Sequence, residues 1–330
     1  MTILAVGDEP EFFSNFFSGA NTVHTLFKDD GQRGGIYSNA TNIWFLDLPA
    51  GVSELWMRFH TTRSPSTSTT NPILTFTNTS TGKDAFRVMG TPSADTWRMT
   101  YNSVGTTYTT LAYAPFPSGD GTVTHEVVLY FKRGASGVLR LWIDDDLLID
   151  ITGTYNTVDT TWNRIRFAGV STGTTTTVSH GFGGVVVADE PLYGFTVDHL
   201  SPSAAGTHSA WTGSYTTLAD TTNAPQVDTA TFITTNANGQ KFSAAYEDTV
   251  ALDGSREVAC VAIAMRGILE AGSTPTGASF LSRHAGTDYT LNNLSLGGSD
   301  SSFTQILATD PAGGAWTESS VNAIEFGVTT

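Results

Sequence analysis

The sequence predicts an all-β protein built from two β-sandwich or jelly-roll domains. Three observations carry that prediction. Charged residues make up only 14% of the 330 residues, and threonine, serine and glycine are abundant. β-branched and aromatic side chains fit a pleated surface. Short apolar runs with alternating character recur between turn-rich stretches, and no stretch has the length and period of a long amphipathic helix.

The strand candidates follow in chain order. NIWFLDL (42–48), ELWMRFH (54–60), ILTFTN (73–78), TWRMTYN (96–102) and HEVVLYFKR (125–133) come first. Turn chemistry such as PSGDG at 117–121 separates several of them. VLRLWIDDDLLIDITG at 138–153 reads as a hairpin. A three-residue turn, Asp144 to Asp146, would pair Ile143 with Leu147, Leu141 with Ile149 and Leu139 with Ile151, giving one apolar face. The same register sets Arg140 opposite Asp150 and Trp142 opposite Leu148 on the other face. The three aspartates are a solvated turn on this reading. Consecutive carboxylates diverge, whereas a calcium loop draws ligands from alternating positions, so no metal site is expected. RIRFAGV (164–170) and GGVVVAD (183–189) complete the first block.

The texture changes after Asp189. LSPSAAGTHSAWTGS at 200–214 is small, polar and turn-rich, which places a domain boundary near 193 and gives domains 1–192 and 193–330. The second block offers KFSAAYEDTV (241–250), ASFLSRHAGTDYTL (278–291), SFTQILATDP (302–311) and NAIEFGVTT (322–330). EVACVAIAMRGILEAG at 257–272 could be a helix. Its apolar residues on both alternating faces favour a buried strand at Val258 to Met265.

Asp plus Glu number 31 against 16 Lys plus Arg, a net charge of −15. So acidic a chain repels phosphate backbones, which argues against nucleic-acid partners. The single cysteine, Cys260, permits no intrachain disulfide and reads as a small buried hydrophobe. MTILAVGDEPEFF lacks the basic region and apolar core of a secretory signal, and no apolar run approaches a membrane span.

HEVVLYFKRGASGVLRLWIDDDLLID is similar to the strand and hairpin of concanavalin A/laminin-G-like jelly rolls, over roughly the first half of the chain. In the second block DHLSPSAAGTHSAWT (198–212), SRHAGTDYTL (282–291) and ATDPAGGAWTESSVNAIEFGV (308–328) resemble the C-terminal region of minor structural proteins of tailed bacteriophages. The family's closing pattern is close to D-P-x-T-G-x-A-W-T followed by V-N-A-x-E-F-G-V. Here it runs from Asp310 through Trp316 and Thr317, then from Val321 to Val328, with Gly313 where threonine is usual. In physical terms the Asp-Pro and glycines make a turn, Trp316 buries a ring, and Ile324, Phe326 and Val328 share one strand face.

Catalytic patterns are weak. Gly169-Val170-Ser171-Thr172-Gly173 matches a nucleophile elbow, with His180 nearby, but no helix pattern follows. His125-Glu126 lacks the second histidine of a zinc-protease helix, and no carboxylate run suits a retaining glycosidase. No catalytic residue, metal or cofactor is expected. Exposed aromatics stack on sugars, so the seven tryptophans are candidates: Trp44, Trp56, Trp97, Trp142, Trp162, Trp211 and Trp316. The best of them is Trp142, which shares with Arg140 and Asp150 the face opposite the apolar one. The resemblance implies a non-enzymatic structural protein of a tailed-phage virion, made in bacterial cytoplasm and displayed as a head or tail fibre or as a decoration protein. Its partners would be other virion proteins and copies of itself in a homo-oligomer. The alternative is a carbohydrate-binding adhesin that recognises host glycans.

Overall fold

The computed structural model describes residues 1–7, 23–24, 35–38, 43–63, 72–91, 96–103, 107–116, 123–167, 180–218, 232–249, 257–299 and 301–330. Side chains are described for all of these except 7, 23–24, 35–38, 62–63, 91 and 180. The described residues are all-β apart from two short helices. The chain divides into two compact units, Met1–Val197 and Asp198–Thr330. Residues 193–197 fall in the first unit, where Phe195 and Val197 pack with Trp56 and Leu192.

The first unit contains β1 (Ile3–Gly7), β2 (Val23–His24), β3 (Gly35–Ser38), β4 (Trp44–Val52), β5 (Glu54–Arg63), β6 (Pro72–Asn78) and β7 (Lys83–Thr91). It continues with β8 (Thr96–Asn102), β9 (Tyr108–Pro115), β10 (Thr124–Lys132), β11 (Gly134–Ile143), β12 (Asp146–Tyr155), β13 (Trp162–Phe167) and β14 (His180–Ala188). One antiparallel sheet runs β12-β11-β10-β5-β14-β3-β2, with β1 also paired to β14. The other runs β4-β13-β6-β7-β8-β9. Alternation buries Leu55, Met57 and Phe59 of β5, Leu129 and Phe131 of β10, and Leu139 and Leu141 of β11 from the first sheet. Phe76, Phe86, Trp97, Met99 and Ile165 meet them from the second. Rings interleave between the layers, with Phe86 stacked on Phe131 at 4.3 Å and Phe59 on Trp97 at 6.5 Å. Burying such rings from two facing sheets is what holds a sandwich together without disulfides.

The β11–β12 hairpin corrects the expected turn. Leu139 pairs with Ile151, Leu141 with Ile149 and Arg140 with Asp150, as the alternation required. Nearer the tip, Trp142 faces Leu147 and Ile143 faces Asp146, so only Asp144 and Asp145 form the turn. Both have positive φ, 50° and 68°. That is the geometry of a two-residue type I′ turn, whose twist matches the flanking strands. The resulting one-residue slip is absorbed by a bulge between Leu141 and Trp142: Leu148 and Ile149 both pack toward the core, while Leu147 is 49% exposed.

The second unit contains β15 (Pro202–Ser209), α1 (Tyr215–Leu218), β16 (Lys241–Tyr246), β17 (Val261–Gly267) and β18 (Ala278–His284). β19 (Thr287–Leu294), β20 (Ser301–Leu307), α2 (Glu318–Ala323) and β21 (Glu325–Thr329) follow. One sheet runs β15-β16-β21-β18-β19, and β17 pairs with β20. Phe242, Phe280 and Val328 of the larger sheet pack with Ile263, Met265 and Phe303 of the smaller. Two sequence expectations shift here. The turn-rich stretch at 200–214 contains strand β15, because its small residues pair closely with β16. Within the 257–272 run the strand is Val261–Gly267 rather than Val258–Met265, and each residue of that strand is half-buried rather than enclosed. Cys260 just before it is also half-buried, and burial pushes its thiol up to about 11.

Candidate functional site

The face of β11 opposite the core is the site predicted from sequence. Register carries it across the sheet: Arg140 lies opposite Tyr130, Tyr130 opposite Trp56, and Trp142 opposite Val128. Residues directly opposite share a face, so Trp142, Tyr130 and Trp56 all point away from the second sheet. Their rings form a continuous group. Trp56 stacks on Tyr130 at 4.5 Å and on Trp142 at 5.7 Å. Tyr193, from the segment after β14, stands edge-on to Trp56 at 5.4 Å and to Trp142 at 5.0 Å. Trp56 is buried beneath this group, Trp142 and Tyr130 are half-buried, and Tyr193 is 49% exposed.

Charges frame the rings. Arg140 Nε donates to Asp150 Oδ1 at 2.9 Å, and this bond raises the guanidinium above its ordinary value. Lys132 Nζ meets Glu54 Oε2 at 2.9 Å on the neighbouring row. Burial raises the Tyr130 and Tyr193 hydroxyls, so both stay protonated donors at neutral pH. The arrangement offers flat apolar rings beside fixed polar groups, which suits a ligand with a C–H face and hydroxyl edges. Sequence reasoning found Trp142, Arg140 and Asp150, and the structure brings all three to one face. It had named Trp56 as one tryptophan candidate among seven without placing it beside Trp142, and it missed Tyr130 and Tyr193. Trp56 and Tyr130 were legible as outward positions in LWMRFH and VVLYFK, had those strands been aligned with the hairpin. Tyr193 carries no periodic signal. Of the other tryptophans, Trp44, Trp97, Trp162 and Trp316 are buried, and Trp211 is half-buried with its Nε1 donating to the Gln240 carbonyl at 3.3 Å.

The aspartate turn is held by the sheet beside it. Asp144 Oδ2 lies 2.6 Å from His125 Nδ1, and its Oδ1 accepts from the Glu126 backbone N–H at 2.9 Å. Among the described residues, no group of three His, Cys, Asp or Glu side chains is placed to hold a metal ion. The Gly169-to-Gly173 match lies outside the described residues, and of His180 only the backbone is described, in β14.

In the second unit the segments 198–212, 282–291 and 308–328 converge. Asp288 of β19 accepts from Lys241 Nζ at 2.7 Å and from Arg283 Nη1 at 2.6 Å, and its Oδ2 lies 2.8 Å from His208 Nε2. Burial raises the Asp288 carboxyl, but those three partners outweigh it and hold it far below the usual carboxylate range. Glu325 of β21 accepts from the Ser243 hydroxyl at 2.6 Å and from Thr207 N–H and hydroxyl at 2.7 Å each. Burial is again outweighed, and its carboxyl is lowered. His284 Nδ1 lies 3.0 Å from Asp310 Oδ1. Trp316 Nε1 donates to the Leu307 carbonyl at 2.7 Å; Phe326 and Val328 are buried on one face of β21, and Ile324 is buried at the end of α2 just before that strand. Gly313 has φ +99°, a conformation that favours glycine over threonine. This chain therefore uses the motif residues as internal cross-ties.

No family model matches the chain, and no curated protein matches it. Among solved structures, it is similar to an endo-β-1,4-glucuronan lyase from the fungus Trichoderma reesei, at 14% identity and TM-score 0.44, over 56% of this chain and 95% of the lyase. It is similar to a carbohydrate esterase of the Shiga toxin-encoding bacteriophage phi24B, at 13% identity and TM-score 0.40, over 56% and 97%. A botulinum neurotoxin type C chain described with two ganglioside molecules is also similar, at 8% identity and TM-score 0.40, over 51% of this chain and 41% of that one.

Proposed function

We propose that the chain is a non-enzymatic surface protein of a tailed-phage particle, and that its first unit binds host glycan. The glycan half rests on one observation, the outward ring group of Trp142, Tyr130 and Tyr193 beside the Arg140–Asp150 pair. The particle half rests on the resemblance in the second unit. Its acidic residues Asp288 and Glu325 are fully engaged as cross-ties, which fits a structural element better than a reaction centre. The protein would stand on the particle as a head or tail fibre or a decoration protein, in several copies.

The two halves have separate tests. Titration against neutral and acidic bacterial surface glycans should show saturable binding, with Trp142→Ala weakening it about tenfold, a loss of about 1.4 kcal/mol. Ile268→Ala, an exposed apolar residue of the second unit, should leave it unchanged. Binding that ignores Trp142→Ala overturns the glycan half. Immunogold labelling of purified particles should decorate capsid or tail. Absence of the protein from particles overturns the virion half.

A further inference from the structure

The six-stranded sheet of the first unit also has a face turned away from the core. Cross-strand register assigns its members: Arg166 lies opposite Phe45 and Thr75, Thr75 opposite Arg87, and Arg87 opposite Thr100. One row away, Arg164 lies opposite Thr77, and Arg98 lies opposite Met89 and Tyr113. Four arginines thus share one sheet face in a chain of net charge −15 with only 16 basic residues. Two of them are matched. Arg164 Nη2 donates to Asp47 Oδ2 at 2.9 Å, and Arg87 Nε donates to Asp84 Oδ2 at 3.0 Å.

The other two are less well matched. Arg166 Nη2 lies 3.9 Å from Asp84 Oδ2, a carboxylate already serving Arg87 and the Thr77 hydroxyl at 2.9 Å. Among the described residues, Arg98 Nη2 has the thioether of Met89 at 3.4 Å, a weak acceptor. The Nε atoms of both arginines and the hydroxyl of Thr75, itself 1% exposed, are buried without a hydrogen-bond partner. Buried donors of this kind are costly, and a charged one is costlier. Among the described residues, this face is short of acceptors although the chain is acidic.

We propose that the outer face of the six-stranded sheet binds a carboxylated saccharide chain, with uronate carboxylates docking on Arg98 and Arg166. A planar guanidinium fork matches a carboxylate bidentately. Arg166 on β13 and Arg98 on β8 are three strand steps apart, about 14 Å at the usual strand spacing, so one small anion cannot reach both. A chain with repeated carboxylates does. Rings flank them: Tyr108 carries Arg87 at 3.7 Å, and Tyr113, opposite Arg98, is 59% exposed. An exposed ring beside guanidinium groups complements a carboxylated sugar better than a densely charged phosphate backbone, which the net charge repels. This site is on the opposite sheet from the Trp142 face and stands or falls independently of it.

Calorimetric titration of the full chain with oligogalacturonate tests the proposal, with a neutral oligoglucan and a single-stranded oligonucleotide as comparisons. The uronate should bind saturably and the other two should not. Arg98→Ala and Arg166→Ala should each weaken binding about tenfold or more, and the double variant should abolish it. Arg98→Lys keeps the charge without the fork and should weaken it too. Trp142→Ala should leave it unchanged. The thermal midpoint of Arg98→Ala should stay level or rise, since no strong native partner is lost. No uronate binding, binding that ignores the arginine variants, equal affinity for Arg98→Lys, or equally tight oligonucleotide binding would each overturn it.

Discussion

Asp144 and Asp145 show how one residue type takes two jobs. Both sit at positive φ, where a Cβ costs about 1–2 kcal/mol and glycine costs none. Asp144 recovers that cost through His125 and the Glu126 N–H, whereas Asp145 is exposed at the tip. Asp145→Gly should therefore stabilise the first unit by about 0.5–1 kcal/mol, the relief being partly offset by greater freedom in the unfolded chain. Asp144→Ala should destabilise it by about 1–2 kcal/mol, because it keeps the strain and loses both bonds. Urea midpoints measured at neutral pH check both, and opposite signs are the expected outcome. Equal effects would mean that Asp144 gains nothing from β10.

At the scale of elements, the hairpin also carries a paired glycine device. Gly137 lies opposite Gly153, and the ring of Tyr155 lies across both. A Cβ on Gly137 would fall 2.5 Å from Tyr155 Cδ2, and one on Gly153 would fall 2.9 Å from Cε1. Tyr155 in turn stacks on Phe131 at 6.4 Å inside the core. Gly137→Ala should displace that ring and cost about 1–3 kcal/mol, read as a lowered thermal midpoint. A neutral substitution would show that the ring is free to move. This device was not legible in the sequence, since two glycines sixteen residues apart say nothing until the register is known. The strands themselves were legible, because alternation in runs such as TWRMTYN is enforced by burial on one side, and β8 spans those seven residues. β15 was not, because alanine, serine and threonine gave no apolar period and its pairing depends on close packing instead. For the same reason the Trp142 face was found from one hairpin, while Tyr193, held by a loop, was not.

At the scale of the whole molecule, acid should act on the second unit through two shared carboxylates. The second unit ties strands β15, β16, β18, β19 and β21 together through Asp288 and Glu325, whose facing groups are Lys241, His208 and Arg283 for the first and Thr207, Ser243 and the Arg283 charge for the second. Both carboxyls are lowered in the folded state. A lowered folded value means that the unfolded chain binds protons first as pH falls. The stabilisation is thus complete above the unfolded carboxyl values of about 4 and is lost as pH drops through the lowered ones. Asp288→Asn should cost about 2 kcal/mol at neutral pH, since a carboxylate bonded to charged donors becomes a neutral amide. That gap should stay constant from pH 7 to about 5 and close progressively below about 4, as the parent protein loses the same interactions by protonation. Urea denaturation of both proteins across that range, read by a probe in the second unit, measures the gap directly. A gap that stays level down to about pH 2 would mean that the Asp288 charge contributes nothing, and that the segments 198–212, 282–291 and 308–328 are joined by packing rather than by their polar cross-ties.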